Sequence, residues 1–255
     1  WSSDVCSSDL ETVCRKMSEF GFDGLELACW GDHFNVAEAA RSKTYCDEKR
    51  KLLAKYNLGV WAISNHLAGQ LICDPDDDAR TDGFAPPECA GNAGKKRAWA
   101  IENMKLAAKA AQNLGVTVVN GFTGSPIWHM LYSFPPVAKT TIEEGFRCFD
   151  DTFHPILDEF ARCGVRFALE VHPTEIAFDL VTARRALAAL GNRPEFGFNF
   201  DPSHLLWQMV DPVKFLEAFP DRIFHCHIKD AALTLDGASG ILSSHLDFDQ
   251  PGRGW

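Results

Sequence analysis

Short, unbroken apolar runs alternate along the chain with longer stretches of helical period. The runs cover 22–28, 58–64, 116–120, 165–171, 196–200 and 223–228, and they predict strands. Helices are predicted over 11–20, 44–56, 95–114, 142–163, 179–190 and 212–219. Gly21, Gly115 and Gly164 follow three of them, where a left-handed residue closes a helix. Pro212 suits a first turn, whereas Pro155 is expected to interrupt its helix. Segments 69–94 and 122–139 read as long loops, and 229–255 as loop throughout. Strands that are apolar at every position are buried on both faces, which means a parallel sheet. A closed barrel and an open doubly wound sheet both fit. The phosphate fingerprints of open sheets, Gly-x-Gly-x-x-Gly after a strand and Gly-x-x-x-x-Gly-Lys-Ser/Thr, are absent.

Polar residues collect at the C-terminal ends of these runs: Glu26, His66, Asn120, Glu170, Asp201, and His225 with His227. Barrel enzymes carry their catalytic groups at that end. A carboxylate or imidazole there is costly to bury unless it is paired or binds a metal. Residues two apart share a strand face, so His172 accompanies Glu170 and His225 lies below His227. Glu170, Asp201 and His227 therefore stand at equivalent heights on successive strands. An oxygen-rich set with one imidazole suits one divalent metal: Mn2+, Mg2+, Co2+ or Zn2+. Each carboxylate alone reads equally well as a cap or ion-pair member, and Glu26 stays balanced between the two. His66 is expected to touch substrate, and Trp30 is either a sugar-stacking platform or ordinary packing. The stretch Gly-Phe-Thr-Gly-Ser-Pro at 121–126 either offers N–H groups to a substrate oxygen or is simply a tight turn.

Composition narrows the partners. The 255 residues are enough for one barrel, and the net charge of -10 argues against nucleic acid. The short basic cluster Lys95-Lys96-Arg97 reads as a solvated helix face. No apolar run is long enough to cross a membrane. The nine cysteines include no Cys-x-x-Cys pair, so they read as reduced structural thiols in a cytoplasmic protein, with Cys148 and Cys163 as small buried hydrophobes.

The motifs Gly-Phe-Asp-Gly-Leu-Glu-Leu (21–27), Leu-Glu-Val-His-Pro (169–173), Phe-Asp-Pro-Ser-His (200–204) and His-x-His-Ile-Lys-Asp (225–230) together resemble the xylose-isomerase-like barrel superfamily of sugar phosphate isomerases and epimerases. The resemblance implies a (β/α)8 TIM barrel over 11–255. It implies a metal on Glu170, Asp201, His227 and a further Glu from an eighth strand, with Glu170 also catalytic. His66, His204, Lys229, Asp230, Trp30 and His172 are then the candidates for binding a small sugar or sugar phosphate. The barrel is expected to be incomplete. Residues 1–10 nearly repeat themselves and read as non-native sequence in place of the first strand, and the fourth ligand is expected beyond residue 255. Little turnover is accordingly expected of this chain. The implied chemistry is proton transfer next to a carbonyl through an enediolate. A polyol-pathway dehydratase or isomerase, an endonuclease-IV-like zinc hydrolase and a non-catalytic sugar-binding barrel remain as alternatives, and a homo-oligomer stays open.

Overall fold

The computed structural model describes residues 9–75 and 77–255. Residues 1–8 of the expected non-native segment lie outside them. Asp9 caps the first helix, α1 (Leu10–Glu19), its carboxylate accepting the Thr12 N–H at 2.9 Å. The strands are β1 (Gly24–Ala28), β2 (Gly59–Ser64), β3 (Val118–Gly121), β4 (Arg166–Glu170), β5 (Phe196–Phe200) and β6 (Ile223–Cys226). They form one sheet in sequence order, each strand parallel to the next. This is the arc of a (β/α)8 TIM barrel, with helices on its outer side.

The two faces of the sheet are packed differently. Outside, Phe167, Phe196 and Phe198 are fully buried against Phe149, Phe153, Phe160 and Phe215 of the helices and Phe219 at a helix end. Inside, Ala62, Val118 and Ala168 form a thin layer against Phe224. A register break on β6 seats that ring: Phe198 pairs with Ile223 but Asn199 with His225, so Phe224 is the extra residue of a bulge. Gly197 makes room, since a Cβ there would lie 2.4 Å from the Phe224 ring. The bulge leaves His225 level with Asn199 above the apolar layer.

The outer helices are α2 (Val36–Arg41), α3 (Lys43–Lys55), α4 (His66–Cys73), α5 (Ala93–Leu114), α6 (Lys139–Cys163), α7 (Leu180–Ala189), α8 (Pro202–Leu206) and α9 (Pro212–Ala218). Helices α2, α4 and α8 are absent from the sequence pattern, being too short to show a period. Helix α6 runs through Pro155 without a break. Its buried stripe of Phe149, Phe153, Ile156, Leu157 and Phe160 holds both sides of the proline, which outweighs one missing hydrogen bond. Cys163 is buried as expected, but Cys148 of α6 is exposed. The tail after Lys229 is loop apart from a short turn at Ser243–His245, and Trp255 stacks on Trp207 with ring centroids 4.3 Å apart.

The two long loops are more ordered than their composition suggests. The first opens with α4, and the rest is tied to Lys96, which is 2% exposed. Lys96 pairs with Asp77 at 2.8 Å and with Asp82, and donates to the Asp78 carbonyl at 3.0 Å. Arg97 donates to the Asp74 carbonyl at 2.6 Å. Within the basic cluster Lys96 is thus a buried fastening, Arg97 is half-buried against the loop, and Lys95 alone is on the solvated face. In the second loop the N–H groups of Thr123 and Gly124 both donate to Glu175 Oε2, each at 2.7 Å, and Ser125 N donates to Asp74 at 3.2 Å. The N–H groups of 123–125 are therefore spent on the chain's own carboxylates, and the stretch is held by them and not by a hydrogen-bonded turn.

Two outcomes follow. Gly69 of α4 abuts the second loop, where a Cβ would lie 2.2 Å from the Phe122 carbonyl oxygen. Gly69→Ala is expected to lose about 1–3 kcal/mol in urea unfolding with an unchanged slope; an unchanged midpoint would contradict this packing. Burial pushes the Glu175 carboxyl up to about 8, against the pull of its N–H donors. The native state then holds a proton that the unfolded chain releases above its ordinary value of 4.5, so this group's contribution is complete below that value and is lost as pH rises through about 8. Glu175→Gln is expected to flatten the stability profile across that window; an unchanged slope would show that Glu175 is ionised in the fold.

Candidate functional site

The upper interior of the sheet is polar, and Glu170 is its centre. It ends β4, and its side chain is 7% exposed. Oε1 lies 3.1 Å from His204 Nε2. Oε2 lies 2.9 Å from His66 Nε2 and 3.1 Å from His227 Nδ1, and accepts from Asn199 Nδ2 at 3.3 Å. Burial alone would raise its pKa, but the bonds to His204, His227 and His66 hold it well below the usual carboxylate range.

Asp201 follows β5 and is fully buried. Its Oδ1 caps α8, accepting the Ser203 N–H at 2.9 Å and the Ser203 hydroxyl at 2.6 Å. That leaves Oδ2 facing the site, 2.8 Å from Lys229 Nζ and 3.4 Å from His204 Nε2. Neither contact has the alignment of a hydrogen bond, so Oδ2 is held by charge alone. His66 opens α4, directly after β2, with its ring edge-on to Phe122.

His227 lies just past β6, its backbone N–H donating to the Phe200 carbonyl at 2.9 Å. Its ring stands between two carboxylates: Glu170 on Nδ1, and Glu26 of β1 at 3.3 Å on Nε2. Burial would lower its pKa, but the two carboxylates push it up to about 10. Glu26 Oε2 also lies 2.9 Å from His225 Nε2 and accepts from Asn120 Nδ2. Burial opposes its charge, yet the bonds to His225 and His227 hold Glu26 below the usual range.

The remaining candidates divide. Lys229 Nζ lies 3.0 Å from His204 Nε2, inside the cluster. His172 forms a wall, its ring 4.1 Å from that of His204 and 5.1 Å from that of Phe122. Burial, then the charge near His204, pushes it down to about 3, so it is neutral. Asp230 is exposed and accepts the N–H of Ala231 at 2.8 Å. Trp30 is half-buried in the turn after β1 and makes no polar or ring contact with the cluster among the described residues.

Three triplets bring their ligand atoms within 4.8 Å of one another: Glu170, Asp201 and His204; His66, Glu170 and His227; and Glu26, His225 and His227. The expected set of Glu170, Asp201 and His227 is thus divided between two triplets that share Glu170. Four buried atoms around the mouth, Asn120 Oδ1, Asn199 Oδ1, Asp201 Oδ2 and His172 Nδ1, accept no hydrogen bond among the described residues. Buried polar atoms left over in this way call for a ligand or ion. Carboxylate oxygens and imidazole nitrogens are the donors that a hard or borderline divalent ion takes, so the residues present fit one. Asn199 and Glu175 escaped the sequence reading. Asn199 carried a signal, since it lies two residues before Asp201 on the same run; Glu175 sits in a loop with no pattern around it.

No described helix is long and apolar enough to cross a membrane. Among curated proteins, the uncharacterized protein YfiH of Bacillus subtilis is 26% identical over 259 residues, covering 96% of this chain and 77% of its own. Among solved structures, apo YcjR of E. coli, a 3-keto-D-glucoside 4-epimerase, superposes with a TM-score of 0.62 at 15% identity, over 88% of this chain and 74% of that one. The IOLI protein with a bound zinc atom superposes with a TM-score of 0.54 at 17% identity, over 87% and 68%. At these identities the structures establish the fold. The family model described as Xylose isomerase-like TIM barrel matches residues 14–255, and the chain belongs to that family.

Proposed function

We propose that this chain is a divalent-metal-dependent isomerase or epimerase of a sugar or sugar phosphate, working by proton transfer next to a carbonyl. The carrying observation is Glu170: a buried, ionised carboxylate at a strand end, with both oxygens held by imidazoles and the free Oδ2 of Asp201 beside it. The epimerase activity of YcjR and the zinc of the IOLI protein, both on this fold, support the reading.

Glu170, Asp201 and His227 would hold the ion, with His204 in reach of the first two. When bound, it supplies Lewis acidity that makes the C–H beside a carbonyl acidic. The chain's own residues do the rest. Glu170 is ionised at neutral pH and is the base for the substrate proton. His66 and His204, on its two oxygens, orient it and pass the proton on. Lys229 places a positive charge at the mouth, where a hydroxyl or phosphate oxygen binds. Neutral His172 and Phe122 wall the site without competing for the proton.

A second reading rests on the three adjoining triplets, which would suit a multi-zinc hydrolase. The net charge of -10 opposes a nucleic acid substrate for it.

Elemental analysis of purified protein is expected to find about one divalent ion per chain, lost in both Glu170→Ala and Asp201→Ala. Two or three zinc ions would favour the hydrolase, and none in a folded protein would remove the isomerase reading. Metal-loaded protein in D2O is expected to exchange the hydrogen beside the carbonyl of its ketose substrate. Glu170→Gln is expected to slow that exchange by about 10²–10⁴-fold; an unchanged rate would exclude Glu170 as the base.

A further inference from the structure

Glu26 is unused by the chemistry above, although it lies partly buried in the same interior. It sits on β1, at the opposite edge of the sheet from β6, yet its Oε2 meets both imidazoles of the His-x-His run. A metal-binding histidine has two ring nitrogens, and whichever does not bind the metal needs a partner to fix the tautomer and the ring plane. We propose that Glu26 is the positioning residue for His227: it holds the proton on Nε2 and so turns Nδ1 toward Glu170 as the nitrogen that meets a divalent ion. This rests on the metal-site reading above and names the group that organises it.

Three contacts carry the assignment. The backbone of His227 is fixed by its N–H on the Phe200 carbonyl, which leaves only the ring to be oriented. Nε2 faces Glu26 Oε2 at 3.3 Å, and among the described residues it has no other acceptor. On the other side Asn199 Nδ2 lies 2.9 Å from Nδ1 and 3.3 Å from Glu170 Oε2. The carboxylate fixes which way that amide points, because its oxygen would be repelled by Glu170. Nδ1 thus faces the anionic Glu170 oxygen at 3.1 Å, the surroundings of a nitrogen that meets a cation, while Nε2 faces Glu26 and keeps its proton there. Glu26 in turn is held by Asn120 Nδ2 from β3 and by His225, so its carboxylate cannot swing away from the ring. The bulge at Phe224 brings His225 to the level of Asn199, where it meets the same oxygen.

The test uses Co2+ as the probe, titrated into metal-free wild type, Glu26→Ala, Glu26→Gln and His225→Ala, with affinity read from visible absorption. Glu26→Ala is expected to weaken Co2+ by about 10–100-fold, the usual cost of losing the partner of a metal-bound histidine. Glu26→Gln, whose amide oxygen still accepts from Nε2–H, is expected to recover most of that loss. Nitrogen-15 spectra of the Zn2+-loaded wild type are expected to show His227 protonated on Nε2 and bound through Nδ1. Thermal melts of the metal-free variants separate this from unfolding. Wild-type affinity in a folded Glu26→Ala, or metal on Nε2, overturns the role of Glu26 and leaves the metal reading intact. A second equivalent that disappears in His225→Ala would make Glu26 a ligand and overturn it too. No Co2+ binding by wild type would bring down the metal reading, and this inference with it.

Discussion

A buried carboxylate must be matched by protons close at hand, and the interior of this barrel is arranged around that requirement at Glu170. An isolated carboxylate would be neutralised by its own burial. Here His66, His204 and His227 surround it, with Asn199 as a fourth donor. These partners come from the ends of β2, β5 and β6, so the charge balance exists only when the strands are side by side. The same need recurs at the edge, where Glu26 is met by His225, His227 and Asn120. His227 belongs to both groups and links them.

The sheet serves this polar interior by dividing its labour. The outer face carries the phenylalanine core, which makes the strands rigid and excludes water from their backs. The inner face carries little apolar volume, an alanine and valine layer under one phenylalanine ring. A thin layer leaves the inward positions above it to Glu26, Asn120, Glu170, Asn199 and His225. The bulge on β6 reconciles the two jobs, adding the residue that fills the interior while keeping the histidine in line.

The loops around the mouth illustrate how donors are already allocated before any ligand arrives. Thr123 and Gly124 give their N–H groups to Glu175, and Lys96 is consumed by Asp77 and Asp82. At the strand ends, by contrast, Asp201 Oδ2 and the two asparagine oxygens lack hydrogen bonds among the described residues. Capping sharpens that contrast: α8 uses one oxygen of Asp201 and thereby aims the other inward.

Periodicity and punctuation in the sequence determined the parallel strands and most of the helices, because a strand buried on both faces must be apolar along its whole length; the family was legible only through the resemblance of four strand-end motifs. Residue spacing also brought Glu170, Asp201 and His227 to the strand ends, because it dictates which side chains of a strand share a face, whereas His204 came only from the family resemblance. Tertiary structure alone decided the partners. Nothing in the local pattern around Glu26 tells an ion-pair member from an anchor for His227, because the two lie at opposite edges of the sheet, 201 residues apart. The same holds for Lys96, whose buried role depends on a loop folding back over it, and for α6, which stays helical at Pro155 because packing on both sides outweighs a local preference. Local rules set which elements form; only long-range packing sets which polar atoms are left over, and those atoms make the site.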